Sequence, residues 1–423
     1  MEYSDSLKNI YYKLLILYLI TLLFFYPYGI CIGEDNNLRL PDLVAIACTI
    51  LGLSIILLRF KVILNKVLML TIFLFLLCEL FFPLLGIVFA GGGVSGLGNS
   101  LRIAFLWLPL LLFVLIHGSP MAPKFNQKVN KIFIITIYAN LTYCILQLLV
   151  KYGNLPEIFM ITDQLAPFAV DEHYRQMVGN RTSGFFVNST ALSLFAIIAA
   201  GYFCSRLINI KNLSDILYVC LTGIIIVMSA SRAALVSLIL YLIIMLCLCK
   251  YKLRILIYTS IITALFLVLV GHIITFEALF ERHTRIVENE TIIEDRSLVG
   301  RMYRSWPYVL KEIKKYPWGT FVSPVSKFGL IDSGYLTYYA QGKWVFIFGV
   351  AWMLILILIT GLQFFKHKNE WVRVNFIFLA IYLVGAMIIS NPLRNPLMIF
   401  YIIFLFWLLS SQKKRRAKGF LGC

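Results

Sequence analysis

Five arginines are the residues in this sequence best suited to chemistry: Arg181, Arg232, Arg296, Arg301 and Arg304. Arg181 lies in Gly179-Asn180-Arg181-Thr182-Ser183-Gly184. Arg232 lies where two apolar runs meet, in Ser229-Ala230-Ser231-Arg232-Ala233-Ala234. The other three fall between Asp295 and Trp306. A guanidinium is always charged and presents a planar fork of donors that matches phosphate oxygens. Charge close to membrane depth is costly and marks a functional candidate. Several arginines converging on one cavity suit an anionic ligand held near lipid, and a lipid pyrophosphate fits. The competing reading is snorkelling to headgroups, or ion pairing with Glu290, Glu294 and Asp295.

The elements that must position these arginines follow from composition. Of 423 residues, 61% are hydrophobic and 14% charged. Soluble domains average about 45–50% apolar and about 25% charged. The chain therefore reads as an all-α polytopic membrane protein, because its apolar runs are continuous rather than alternating. Twelve candidate spans appear: 12–32, 41–59, 67–90, 101–117, 132–152, 185–205, 213–230, 232–249, 254–275, 343–365, 372–390 and 396–411. No internal repeat is visible, and the first run is read as an uncleaved span.

The net charge of +18 is explained by basic inner turns, so no nucleic-acid partner is expected. With the N-terminus inside, every inner turn carries at least two basic residues, from Lys8 and Lys13 to the tail residues 412–423. The short outer turns carry one or none, which is the positive-inside pattern with both termini cytoplasmic. Two outer segments are long, about 153–184 and 276–342. All five arginines belong to them or to an outer turn, as do Arg102 and Arg394 at other outer helix ends.

Other constellations carry less. Glu34-Asp35 is an acidic pair in the first outer turn, and Asp171-Glu172-His173 lacks a second ligand cluster. The glycine-rich run 91–98 has no Lys-Ser/Thr and is read as a bend in an outer turn. The nine cysteines sit in or beside apolar runs and read as packing residues. No metal and no organic cofactor is expected.

Four segments resemble the O-antigen polymerase/ligase superfamily in family order. They are NRTSGFFVNSTALSLFAII, MSASRAALVSLIL, GRMYRSWPYVLKEIKKYPWGT and DSGYLTYYAQGKWVFIFG. They run from about residue 180 to 350; residues 1–170 resemble the family only as a string of membrane helices. The superfamily holds polymerases (Wzy), which join lipid-linked oligosaccharide repeats, and ligases (WaaL), which move finished chains to lipid A core. The ligases share an H-[NSQ]-x9-G pattern. Here Asp332-Ser333 stands in its place, with Gly342 one residue too close, and this departure points to a polymerase.

The resemblance implies a glycosyltransferase-C-like single membrane domain in the bacterial inner membrane, with a periplasmic active site. The implied substrate is an undecaprenyl-pyrophosphate-linked oligosaccharide, and a separate chain-length regulator is the implied partner. Arg181 and Arg301 are then expected to hold the pyrophosphate, with Arg232, Arg296 and Arg304 in support. Asp332 is the candidate proton acceptor, or alternatively the N-cap of a helix starting near Tyr335 or Lys343. Tyr335 and Trp306 either contact sugar or lie in the interfacial aromatic belt. The rivals are a ligase and a lipid-linked oligosaccharide flippase.

Overall fold

The computed structural model describes residues 2–31, 37–59, 84–85, 94–153, 155–161, 181–186, 188–208, 213–248, 252–253, 256–258, 260–261, 264, 268, 300–321, 328, 331, 333–363 and 371–420. Helices dominate: α1 (Glu2–Phe24), α2 (Leu40–Arg59), α3 (Val94–His117), α4 (Ala122–Tyr152), α5 (Ser189–Leu207), α6 (Leu213–Met228), α7 (Arg232–Leu248), α8 (Trp306–Glu312), α9 (Gly334–Leu362), α10 (Trp371–Ile389) and α11 (Pro396–Phe420). Six of these are long and apolar enough to cross a membrane, and α3, α6, α7 and α11 add shorter apolar helices. The protein is an all-α polytopic membrane protein. Ten of the twelve expected spans have their helix; those at 67–90 and 254–275 fall mostly outside the described residues.

The bundle is built around α5. In its most apolar window 83% of residues are buried, against 28% in α9. α9 instead turns Trp344, Val345 and Phe348 outward, as a helix bordering lipid does. Buried polar groups are paired across helices. Asn375 of α10 donates to Ser205 Oγ (3.2 Å) and Tyr401 Oη (2.8 Å), and Tyr241 donates to the Phe378 carbonyl (2.6 Å). Without water to serve them, such groups must find partners inside the bundle. Cys48, Cys144, Cys204 and Cys220 are buried free thiols, as packing residues should be, while Cys247 is exposed.

Several boundaries differ from expectation. The first helix stops at Phe24 rather than 32, because Pro27 has no N–H to continue the ladder and restricts Tyr26. Beyond it Gly29–Cys31 (β1) pairs antiparallel with Asn37–Arg39 (β2). Residues 94–98 of the glycine-rich run are the opening of α3, not a bend. The final helix outlasts its apolar run and carries the basic tail as far as Phe420, since Lys, Arg and Gln are good helix formers.

The span expected from 343 begins at Gly334 and is broken at Gly342 (φ −144°, ψ 22°) and Lys343 (φ 53°, ψ −141°). A short half-helix, 334–341, thus precedes the main apolar segment. A break exposes carbonyls that the next turn no longer serves. Here Thr320 N–H donates to the Ala340 carbonyl (2.9 Å) and Phe321 N–H to the Gln341 carbonyl (2.8 Å). Gly319, at φ +88°, brings that strand in close: a Cβ there would collide with the Gln341 carbonyl.

Candidate functional site

One end of the bundle gathers the segments singled out by sequence. The residues 181–186 lie across the C-terminal end of α6. Thr182 N–H donates to the Met228 carbonyl (3.0 Å), and Arg181 Nε donates to the Ser229 carbonyl (3.2 Å). Both acceptors belong to the last turn and exit of a helix, where carbonyls lack intrahelical donors and the dipole is negative. Ala230, at φ 51°, then reverses the chain. Ser231 offers its carbonyl to Leu235 N–H (3.0 Å), and α7 starts at Arg232. Arg181 and Arg232, 51 residues apart in sequence, therefore share one corner. Both are half-buried.

The loop's shape is set from α4. Gln147 Oε1 accepts from the backbone N–H of Ser183 (3.2 Å) and Gly184 (3.1 Å), and its Nε2 donates to Ser183 Oγ (3.2 Å). Seven residues earlier, Asn140 Oδ1 accepts from Phe185 N–H (2.9 Å). Gly184 has φ +57°, and a Cβ there would strike the Asn140 amide. The seven-residue spacing puts both amides on one face of α4, two turns apart. Asn188 closes the segment by accepting from Ala191 N–H (2.9 Å), capping α5.

Arg301 and Arg304 stand on a second support. They occupy a π-turn, Gly300–Ser305, that leads into α8. Val309 of α8 and Ile313 just after it pack with Ile331 and Ala340 in a small core of their own. Lys343 Nζ donates to the Ile313 carbonyl (2.8 Å), tying the end of α8 to the α9 break. Arg301 is half-buried and Arg304 exposed. The indole N–H of Trp306, at the start of α8, is buried without a partner among the described residues. Tyr335 points its hydroxyl to the Val384 carbonyl of α10 (3.2 Å). Asp332 and Arg296 lie outside the described residues, as do Glu34-Asp35, Asp171-Glu172-His173, Glu290, Glu294 and Asp295. The N-cap of α9 is Ser333, whose Oγ accepts from Leu336 N–H (3.4 Å). The capping role weighed for Asp332 thus belongs to its neighbour.

Residues 217–342 match the Wzy_C family model, described as O-Antigen ligase. The similarity to that family covers less than a third of the 423-residue chain. It begins inside α6, takes in the Ser231-Arg232 turn and α8, and ends at the α9 break. No curated protein matches the chain. Superfamily members are membrane glycosyltransferase-like enzymes acting on lipid-linked polysaccharides. The Arg181 loop precedes the matched segment, yet it is bonded directly to it through Met228 and Ser229.

Sequence reasoning missed the parts of this candidate site that hold rather than act. Gln147 and Asn140 were legible only as two amides inside an apolar run, a signal of buried polar partners. Gln341, wholly buried, accepts from Arg394 Nη2 and donates to the Phe321 carbonyl (3.2 Å). The Arg394 guanidinium also lies 5.6 Å from the Tyr338 ring centroid. Arg394 was noted only as an outer arginine, although the paired Asn-Pro steps around it, Asn391-Pro392 and Asn395-Pro396, mark a rigid turn. A cavity of about 320 Å³ opens beside that turn, walled also by Phe186 and Asn188 of the Arg181 segment and by Arg39 of β2. Arg181, Arg232, Arg301 and Arg304 do not line it.

Proposed function

We propose that the chain is a surface-polysaccharide polymerase that joins undecaprenyl-pyrophosphate-linked oligosaccharide repeats at the periplasmic face of the bacterial inner membrane. The observation that carries this reading is the corner shared by Arg181 and Arg232. A cation at the first residue of α7 opposes that helix's own positive N-terminal dipole. An anion seated there is favoured by the helix N–H groups, by the dipole and by two guanidinium groups at once. The anion in question is the pyrophosphate of the carrier lipid. The acceptor hydroxyl attacks the anomeric carbon, the bond from that carbon to the pyrophosphate oxygen breaks, and the lipid pyrophosphate leaves with the bonding pair. Arg181 and Arg301 stabilise the charge that develops, with Arg232, Arg296 and Arg304 in support. In this reading they serve where other enzymes use metal ions. Asp332 takes the hydroxyl proton. Trp306, whose indole N–H has no partner among the described residues, is the better placed of the two expected sugar contacts, since Tyr335 bonds to α10.

Polymerase is preferred to ligase because Asp332-Ser333 replaces the histidine pattern of the ligases. A chain-length regulator in the same membrane completes the reading. The test is a gel of surface polysaccharide from cells lacking the native protein and carrying Arg181→Ala, Arg301→Ala or Asp332→Ala at matched expression. Loss of long chains with single-repeat caps still on lipid A core identifies a polymerase. Loss of all attached sugar, with lipid-linked polymer accumulating, identifies a ligase. Normal ladders in all three variants remove the site assignment.

A further inference from the structure

We infer that the segment Tyr308–Trp318 lies in the lipid headgroup layer at the end of the bundle that carries Arg181 and Arg232. There Trp318 anchors it, and Lys311, Lys314 and Lys315 bind the phosphates of anionic phospholipid. The inference needs neither the pyrophosphate assignment nor the transferase reading.

Depth comes from α9. From Trp344 to Leu362 that helix is apolar and unbroken. At about 1.5 Å per residue it nearly matches a hydrocarbon core of about 30 Å. The break at Gly342 and Lys343 therefore marks the boundary between lipid tails and headgroups. Trp344, just past the break, is 62% exposed, as a ring of the interfacial belt is. Two bonds tie the segment to this boundary. Lys343 Nζ donates to the Ile313 carbonyl (2.8 Å), and Thr320 N–H, two residues beyond Trp318, donates to the Ala340 carbonyl (2.9 Å). Residues 313–320 are thus held at the level of 340–343.

What the segment presents at that depth matches headgroups. Its packed side is narrow, Val309 and Ile313. Trp318 is 77% exposed and Tyr308 53%. Rings with one apolar and one polar end are at home between lipid tails and water. Lys311, Lys314 and Lys315 are all exposed. Glu312 pairs with Lys315 (2.6 Å), while Lys311 and Lys314 have no carboxylate partner among the described residues. Three ammonium groups against one carboxylate leave the patch cationic, the complement of phospholipid phosphate. Long lysine stems can lie along apolar surface while their charges reach those phosphates. An acidic protein would match the charge, but it would have to dock inside the headgroup layer. The segment runs on from the π-turn of Arg301, so lipid that holds it also steadies that turn.

The experiment uses the full chain in phosphatidylcholine nanodiscs. Trp318→Phe, subtracted from wild type, isolates one of the chain's seven tryptophans. Bromines placed on the lipid chains just below the glycerol should quench about half or more of that difference signal, and aqueous acrylamide should quench little of it. The opposite pattern would put Trp318 in water, open to a soluble partner, and would overturn the inference. Charge is read by exchanging a minor share of the brominated phosphatidylcholine for brominated phosphatidylglycerol. Brominated phosphatidylglycerol should quench about twofold more than phosphatidylcholine at equal bromine, an excess lost in the triple variant Lys311→Gln, Lys314→Gln, Lys315→Gln and reduced by high salt. Equal quenching by the two lipids, or an excess that survives the triple variant, would overturn the phosphate assignment. All four substituted side chains are exposed, so the variants should melt with the wild type.

Discussion

Arg181 reaches the carbonyl of Ser229 with its Nε, 3.2 Å away, so one edge of the guanidinium is spent on tying the loop before α5 to the exit of α6. The pyrophosphate reading assigns the other edge to the ligand. Lysine carries the same charge but has no planar fork and cannot do both. Arg181→Lys should therefore fold and reach the membrane yet lose polymer formation nearly as fully as Arg181→Ala. Removing a single donor to developing charge typically lowers a rate by about 10²–10³-fold. Polymer ladders at matched expression check it, and a wild-type ladder from Arg181→Lys would show that charge alone is enough.

Gln147 is the hinge pin of the Arg181 loop. Gln147→Leu keeps the side chain's bulk but leaves the Ser183 and Gly184 N–H groups buried and unpaired, at about 1–3 kcal/mol each. The expected result is a lower melting temperature together with lost polymer. Gln147→Glu retains both acceptor bonds and should lose less of each. Thermal unfolding in detergent beside the polysaccharide gel reads both effects.

Gly319→Ala tests the seat of Arg301. With φ at +88° and the Gln341 carbonyl where a Cβ would stand, an added methyl group should push the 319–321 segment off the α9 break. The left-handed backbone alone costs about 1–2 kcal/mol for a residue with a Cβ. Hydrogen exchange should rise at the Thr320 and Phe321 amides and spread into α8. Unchanged protection there would mean that the break is held by other contacts.

Asp332→Asn should remove the proton acceptor without changing shape, and so abolish polymer while leaving the melting temperature unaltered, because Ser333 already caps α9. Ser333→Ala should do the reverse, lowering stability by about 1 kcal/mol with polymer still formed. If the two variants exchange phenotypes, Asp332 is structural.

The helices and their approximate ends could be read from sequence because each follows from a local property. An apolar run of membrane length must become a helix, since only a helix serves its own backbone in lipid. Pro27 shows the limit of run-length counting: the apolar run continues past Phe24, but the hydrogen-bond ladder does not. The arginine segments were visible because charge near membrane depth is rare. Their pairing was not visible. Arg181 meets Ser229 through space, and the amides that fix the encounter, Gln147 and Asn140, come from a helix that no motif marks. The broken α9, with Thr320 and Phe321 serving its open carbonyls, likewise exists only once distant segments have docked. Sequence by itself determined which residues must leave water and which charges were worth their cost. Tertiary structure alone decided which of them meet, because a hydrogen bond between segments depends on packing geometry and leaves no spacing in the chain to read.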